Sequence, residues 1–551
     1  MTDGQRINNF NRYKKIILYG IIGIVAIAIG ILALNNNNHN SNNNIKTLSY
    51  NSVESSRLES IRKFQEQFCG LNTKPISNEF VTEYKLPGIC EMPLGIAADN
   101  DNKIWFISTK NGTLDSYNID QQKFGKEISI PIWKSRQNPI DSSQVWDVKL
   151  DRTGANIWFT DEKQNAIWKY NKSTNTFEFY KVPKMSDVFG TIYPVSIDFD
   201  LKGNIYFIGI RSTSLWVGDI TKMKNGTSDG ISEIPLPTGN FAGIDQDLIS
   251  TGSVALDNKN NAIWISMLAF EKKGQILRYD EKTKTFKSFE MPAELSSPVG
   301  TVVDDLGNLW VTDHGTSIFY KLDPLHGNIT KFITSRASPR IFGGSETPER
   351  AYTLPYWIKK GQNNSLWFNE HTGNKIARFD SVNETLVEYW IPSQDKFFGL
   401  CQSSNQTCGI ANVLQFTVGQ NNQIWFTEWS ENKIGRIDAQ KQLPFSIYIP
   451  TKEIPIKKGD TAEIKVNVSS SSNQDMNITM ISSGTFTPTG NLGNSTGSFS
   501  EESFLLNPRT SKQISFIFTP SSDMQSGIYT LMIGGENNAV SYLKAVKVKI
   551  T

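Results

Sequence analysis

The chain has 551 residues, with 56 Lys and Arg against 54 Asp and Glu, 40 glycines and 11% aromatic residues. That length exceeds one compact core and allows two or three domains. The balanced charge carries no basic footprint, so no nucleic-acid partner is expected.

Residues 16–34 (IILYGIIGIVAIAIGILAL) form an uncharged apolar run long enough to span a bilayer as a helix. Arg6, Arg12, Lys14 and Lys15 precede it and an Asn-rich stretch follows. The positive-inside rule then places a cytoplasmic tail at 1–15, a transmembrane helix at 16–34 and everything later on the extracytoplasmic side of the cell membrane. A cleaved signal peptide is the alternative; no small-x-small cleavage site followed by a charged start is present, and the apolar core is long for one. Residues 35–50 are a polar, low-complexity linker that cannot bury enough apolar surface to fold. Residues 51–78 are a helical lead-in, with Val53, Leu58, Ile61, Phe64 and Phe68 near a 3.6 period.

Outside the cell, four cysteines predict two disulfides, which sequence proximity assigns as Cys69–Cys90 and Cys401–Cys408. Neither pair has CxxC spacing. Asn-x-Ser/Thr acceptor sites for glycosylation recur, for instance at Asn111, Asn171, Asn225 and Asn328.

A repeat dominates residues 79–442. Ile104-Trp105, Ile157-Trp158, Ile205-Tyr206, Ile263-Trp264, Leu309-Trp310, Leu366-Trp367 and Ile424-Trp425 are spaced by 53, 48, 58, 46, 57 and 58 residues. An aliphatic or small residue opens each unit nine positions earlier in most copies, as Ile96 precedes Trp105. A unit of four short strands needs about 40 residues, so the pattern predicts an all-β, seven-bladed β-propeller with loop insertions. Tyr84-Lys-Leu-Pro87 matches the ends of fourth strands elsewhere, so residues 79–87 are read as the closing strand of the last blade, which removes the open edges. Residues 443–551 lack the Trp motif and alternate apolar with polar residues, which predicts an immunoglobulin-like β-sandwich.

The phrases Leu366-Trp-Phe-Asn-Glu-His-Thr-Gly-Asn-Lys-Ile-Ala-Arg378 and Ile424-Trp-Phe-Thr-Glu-Trp-Ser-Glu-Asn-Lys-Ile-Gly-Arg436 resemble the streptogramin lyases, the virginiamycin B lyase family of seven-bladed propellers. The resemblance covers roughly residues 79–440 and implies a metal-assisted carbon-oxygen lyase reaction, with magnesium as the kind of divalent cation concerned. It places the family's catalytic histidine of blade 6 on Tyr356 and the glutamate and histidine of blade 7 on Asn412 and Leu414, so none of the three matches; a further family glutamate falls near Glu428. Without both histidines the elimination lacks its general base.

Antiparallel blades put the start of each first strand beside the end of the second, at one mouth of the ring. Two acid–histidine pairs fall there, Asp313-His314 and Glu370-His371, with Glu428-Trp429 in blade 7. Asp313, His314, Glu370 and His371 are candidate ligands for a divalent cation, and His371, Glu370 and Glu428 the candidate catalytic acids and bases. The alternative for Glu370 and Glu428 is an ion pair with the arginine of the next strand, Arg378 or Arg436. Trp146, Tyr356, Trp357 and Trp429 are candidate platforms for a flat small-molecule or cell-surface ligand. The preferred expectation is a membrane-anchored propeller that binds at its mouth; the alternative is a metal-dependent lyase or hydrolase with a rearranged site.

Overall fold

The computed structural model describes residues 59, 69–70, 73–133, 144–183, 191–337, 352–394, 409–482 and 495–551. The expected transmembrane helix, the linker, Cys401, Cys408 and most of the helical lead-in lie outside these; residues 73–78 of the lead-in are described and are not helical. Among the described residues no helix is long and apolar enough to cross a membrane.

The described chain is almost entirely β. Its repeat folds into seven antiparallel sheets in which the second strand carries the Trp or Tyr of the motif. The innermost strands are Pro93–Ala98, Val148–Leu150, Pro194–Phe199, Ile249–Asp257, Pro298–Val303, Pro355–Lys360 and Gln415–Val418. Each touches the next, and the last touches the first, so the sheets close into a ring. This is a β-propeller. Trp158, Trp264, Trp310, Trp367 and Trp425 are among the largest fully buried side chains, and Trp158, Trp264, Trp310 and Trp425 fill the space between neighbouring blades. Arg278, Arg378 and Arg436, from third strands, lay their guanidinium groups over Trp264, Trp367 and Trp425 at about 6 Å.

The last blade takes strands from both ends of the repeat. Gln415–Val418, Ile424–Glu428 and Lys433–Ile437 come from its own unit, and Val81–Lys85 adds antiparallel to Lys433–Ile437 in the register Val81↔Ile437, Lys85↔Lys433. A disulfide between Cys69 and Cys90 ties the chain on both sides of that strand. Closing a loop of this separation, 21 residues, removes unfolded-state entropy worth about 3 kcal/mol. A Cys69→Ser/Cys90→Ser variant is therefore expected to unfold at lower urea, with stability reduced by about that amount.

Most inner strands begin with a proline and carry a register shift two or three residues on, at Pro93/Ile96, Pro194/Ser196, Pro298/Thr301 and Pro355/Ile358. Proline is tolerated in a sheet at a strand's first residue, and a bulge re-aims the side chains beside it. At this end of the ring the chain therefore presents side chains that regular pleating would turn into the walls. Gly300 sits at such a point; a Cβ there would collide with the carbonyl oxygen of Tyr356 on the next blade.

After Ile437 the strands alternate buried and exposed residues in two further sheets. Phe445–Tyr448, Ala462–Ser470, Ser511–Thr519 and Thr496–Phe499 form one. The second is continuous with blade 6. Val540–Ile550 pairs with Gly527–Glu536 on one side and, in the register Thr385↔Lys544 to Tyr389↔Val540, with the outer strand of blade 6 on the other. A blade edge that would otherwise expose unpaired backbone groups is thus covered by the C-terminal strand of the chain.

Candidate functional site

The paired register Pro298↔Asp313 and Pro355↔Glu370 sets inner-strand starts beside second-strand ends. His314 and His371 lie there with their rings parallel, centroids 5.6 Å apart. Tyr356 stacks on His314 at 4.3 Å and on His371 at 6.3 Å, and Trp357 lies 5.2 Å from Tyr356. Trp146, from blade 2, meets Tyr356 edge to face at 6.3 Å. The Gln415 amide of blade 7 donates to the Trp146 carbonyl at 2.8 Å. Side chains from opposite sides of the ring therefore meet across its axis and close the channel at this end. The histidines, Trp146, Trp357 and Trp429 are buried, which leaves Tyr356 as the partly exposed ring of the group.

Both histidines are neutral at physiological pH. Burial and the neighbouring His371 push His314 down to about 3, and burial pushes His371 down to about 4 against a hydrogen bond to Asn412. His371 Nε2 lies 3.2 Å from Asn412 Oδ1, on the residue to which the resemblance assigns the blade 7 glutamate. The Nδ1 atoms of both histidines are buried without a hydrogen-bond partner.

The carboxylates go elsewhere. Asp313 accepts the backbone N–H groups of Ser297 at 2.8 Å and Gly315 at 3.0 Å and the Thr316 hydroxyl at 3.1 Å, so it fastens the loop on which His314 sits. Glu370 faces Lys375, 3.8 Å away, and Lys375 Nζ lies 3.0 Å from Glu388 Oε2. Glu388 in turn accepts the backbone N–H of Ser335 at 2.8 Å, from the end of blade 5. Blade 7 repeats the construction. Lys433 Nζ lies 2.9 Å from Glu83 and 3.2 Å from Glu431, and Glu83 accepts the N–H and hydroxyl of Ser393 from the end of blade 6. Glu428 stands opposite Lys433 in the strand pairing. These are buried clasps between neighbouring blades. One lysine serves two carboxyls in the first and three in the second, so protons must make up the deficit. Burial, with Glu388 beside Glu370 and Glu83 beside Glu428, holds both carboxyls well above the usual range.

This corrects the expected ion pairs: Glu370 lies 3.8 Å from Lys375, Glu428 stands opposite Lys433 with its oxygens buried and without a hydrogen-bond partner among the described residues, and Arg378 and Arg436 stack on tryptophan. Nor do Asp313, His314, Glu370 and His371 fit a divalent cation. The histidine rings face each other flat, Asp313 is saturated by its own loop, and Glu370 belongs to the clasp. Among the described residues no three His, Cys, Asp or Glu side chains come together in a metal-holding group. The candidate catalytic residues Glu370 and Glu428 are likewise fully buried with the lysines rather than aligned with His371. Of the four aromatic platforms, Trp146 and Tyr356 meet at the mouth, Trp429 is buried, and Trp357 lines the channel below.

Sequence reasoning missed the channel. Below the aromatic closure lies a cavity of about 500 Å³, lined by all seven inner strands, with Trp357, Ser196, Ser253 and Gln415 deep in it and Arg152 and Lys360 at its exposed end. Lys149 and Lys359 reach into it from blades 2 and 6. The signal was a lysine at the equivalent axial position of two inner strands, in Val148-Lys-Leu150 and Ile358-Lys359.

No family model matches the chain, and no curated protein does. Solved structures do. A streptogramin B lyase is 22% identical over 65% of this chain and 97% of its own, with a TM-score of 0.48. Virginiamycin B lyase from Staphylococcus aureus is 22% identical over 65% and 98%, at 0.47. A periplasmic gluconolactonase from Pseudomonas aeruginosa is 12% identical over 44% and 70%, at 0.34. The chain is thus similar to streptogramin B lyase propellers, a likeness of fold.

Proposed function

We propose that the chain is a binding protein rather than an enzyme: a membrane-anchored, extracytoplasmic propeller that holds a neutral, flat ligand, such as a sugar ring or an aromatic ring, at its mouth. Residues 16–34 supply the anchor and the C-terminal strands an immunoglobulin-like sandwich. The observation that carries the reading is the stack of Tyr356 on His314 and His371. The imidazoles add no charge at the mouth, and Tyr356 is the partly exposed residue of the group at which a flat ligand can arrive. Acid–base chemistry has little to work with here. Histidines held at about 3 and about 4 are weak bases at neutral pH, and the nearby carboxyls are shut inside the clasps.

The test is a tryptophan-fluorescence titration of the purified full chain with indole and with a panel of neutral monosaccharides. A saturable change that disappears in Tyr356→Ala and persists in Lys360→Met is the expected result. Turnover of an ester or glycoside that falls about 100-fold in His371→Ala would instead make the mouth a catalytic site.

A further inference from the structure

The channel cavity opens at the end of the ring opposite the mouth, where the inner strands finish. Its charge is unevenly satisfied. Lys149 lies 3.4 Å from Asp198 and 3.9 Å from Asp147. Both aspartates are further held by the walls: Asp147 accepts the Ile197 N–H at 3.0 Å, and Asp198 accepts those of Phe199 at 3.1 Å and Leu256 at 2.9 Å. Lys360, near the opening, pairs with Asp305 at 2.7 Å. Lys359 has no such partner. Its ammonium donates to the Phe416 carbonyl at 2.5 Å and lies 5.3 Å from the Phe416 ring centroid, and among the described residues it makes no ion pair with a carboxylate. Burial and the neighbouring Lys149 lower it to about 8 against the pull of Asp147. Arg152, at the exposed end, likewise makes no ion pair among the described residues.

An ammonium inside a protein wall, with two of its three protons uncommitted, is costly unless something negative faces it. The walls supply hydroxyls and an amide in Ser196, Ser253 and Gln415 and the indole of Trp357 at the closed end; their carboxylates, Asp147 and Asp198, are engaged by Lys149 and the neighbouring backbone. The volume lies in the range of small-molecule sites. We propose that this channel is a binding site for a small organic oxyanion, whose anionic group sits on Lys359 and whose body extends toward Trp357. Arg152 draws the ligand in from solvent. The site is separate from the mouth, with the aromatic closure between them, so either can fail without the other.

The experiment is a thermal-shift titration of the full chain, in mild detergent at fixed ionic strength, with sodium succinate and with inorganic phosphate, and sodium chloride as the salt control. A saturable rise in Tm with succinate or phosphate, absent with chloride, is expected, and which of the two acts names the anionic group. The rise should weaken by about tenfold in apparent affinity in Lys359→Met and survive in Lys282→Met, a change at an exposed lysine outside the channel. The Lys359→Met chain should also be at least as stable as the parent without ligand, because a partly buried ammonium without a carboxylate partner has gone. A shift that survives in Lys359→Met, or no shift with either anion, overturns the proposal. Succinate and phosphate leave a mouth defect such as Tyr356→Ala untouched, so the two readings are tested apart.

Discussion

Lys433→Met should destabilise the propeller by about 3–5 kcal/mol, whereas Glu428→Gln should cost under about 1 kcal/mol or raise stability. The asymmetry follows from the proton count in the clasp between blades 6 and 7. Among the described residues Lys433 is the cation in ion-pair contact with Glu83 and Glu431, and its side chain is wholly buried; Lys85 stands further off, with its ammonium on the Glu431 carbonyl. Removing it leaves the three carboxyls without an ion-pair partner in a buried interface, with Glu83 still tied to Ser393 and Lys85 as the remaining, more distant cation. Glu428, by contrast, is already driven toward its neutral form by burial and by Glu83. Glutamine replaces that neutral acid with a group of the same shape and takes away a like-charge neighbour. Lys375→Met and Glu370→Gln should reproduce the pair of effects in the clasp between blades 5 and 6. Urea denaturation of the four variants reads both signs; equal losses for lysine and glutamate variants would mean that Glu370 and Glu428 are ionised, with the clasps acting as ordinary ion pairs.

These clasps show where sequence reading reached and where it stopped. The tryptophans were legible because one residue type returns at one place in each unit, and only an inter-blade core position needs a large flat side chain there. Glu370 and Glu428 stood out for the same reason, but their partners did not. Asn374-Lys375-Ile376 and Asn432-Lys433-Ile434 repeat as plainly, yet a lysine in a strand normally reads as solvated. Only the pairing Glu370↔Lys375 and Glu428↔Lys433, with a serine from the preceding blade, buries it. His314 and His371 were placed at the mouth by topology alone, whereas their flat stacking depends on bulges that periodicity does not encode. The continuity of Val540–Ile550 with blade 6 was also beyond reach, since an alternating strand specifies its buried face but not which edge it will join.

Stability should peak on the acid side of neutrality, between about pH 4 and 5, and fall from there to pH 8. Burial raises Asp115, Glu162 and Asp313 to about 7, and Glu370 and Glu428 higher still. An acid whose folded pKa lies above its unfolded value near 4 keeps its proton in the folded chain after the unfolded chain has lost it. Its contribution is complete below about pH 4 and is lost as pH climbs through the folded value, at about 1.4 kcal/mol per pH unit. His314 and His371 oppose this. Both are neutral when folded and charged when unfolded below about 6.5, so each loses stability as pH falls from there toward about 4. Five acids against two histidines leave a net fall on the order of 1–4 kcal/mol per pH unit between 5 and 6.5. Above 6.5 the histidines drop out and the acids dominate, until Lys85 and Lys359, both lowered to about 8, begin to oppose them near pH 8. Below about pH 4 the direction reverses, because hydrogen-bonded carboxylates such as Asp99 and Asp151, held below their usual range, are then protonated. Urea midpoints at pH 4, 5, 6, 7 and 8 measure the curve. A maximum at pH 7–8 would show that the buried acids are ionised in the folded chain. A Glu370→Gln/Glu428→Gln variant should flatten the decline above pH 6.5, where those two carboxyls keep their protons longest.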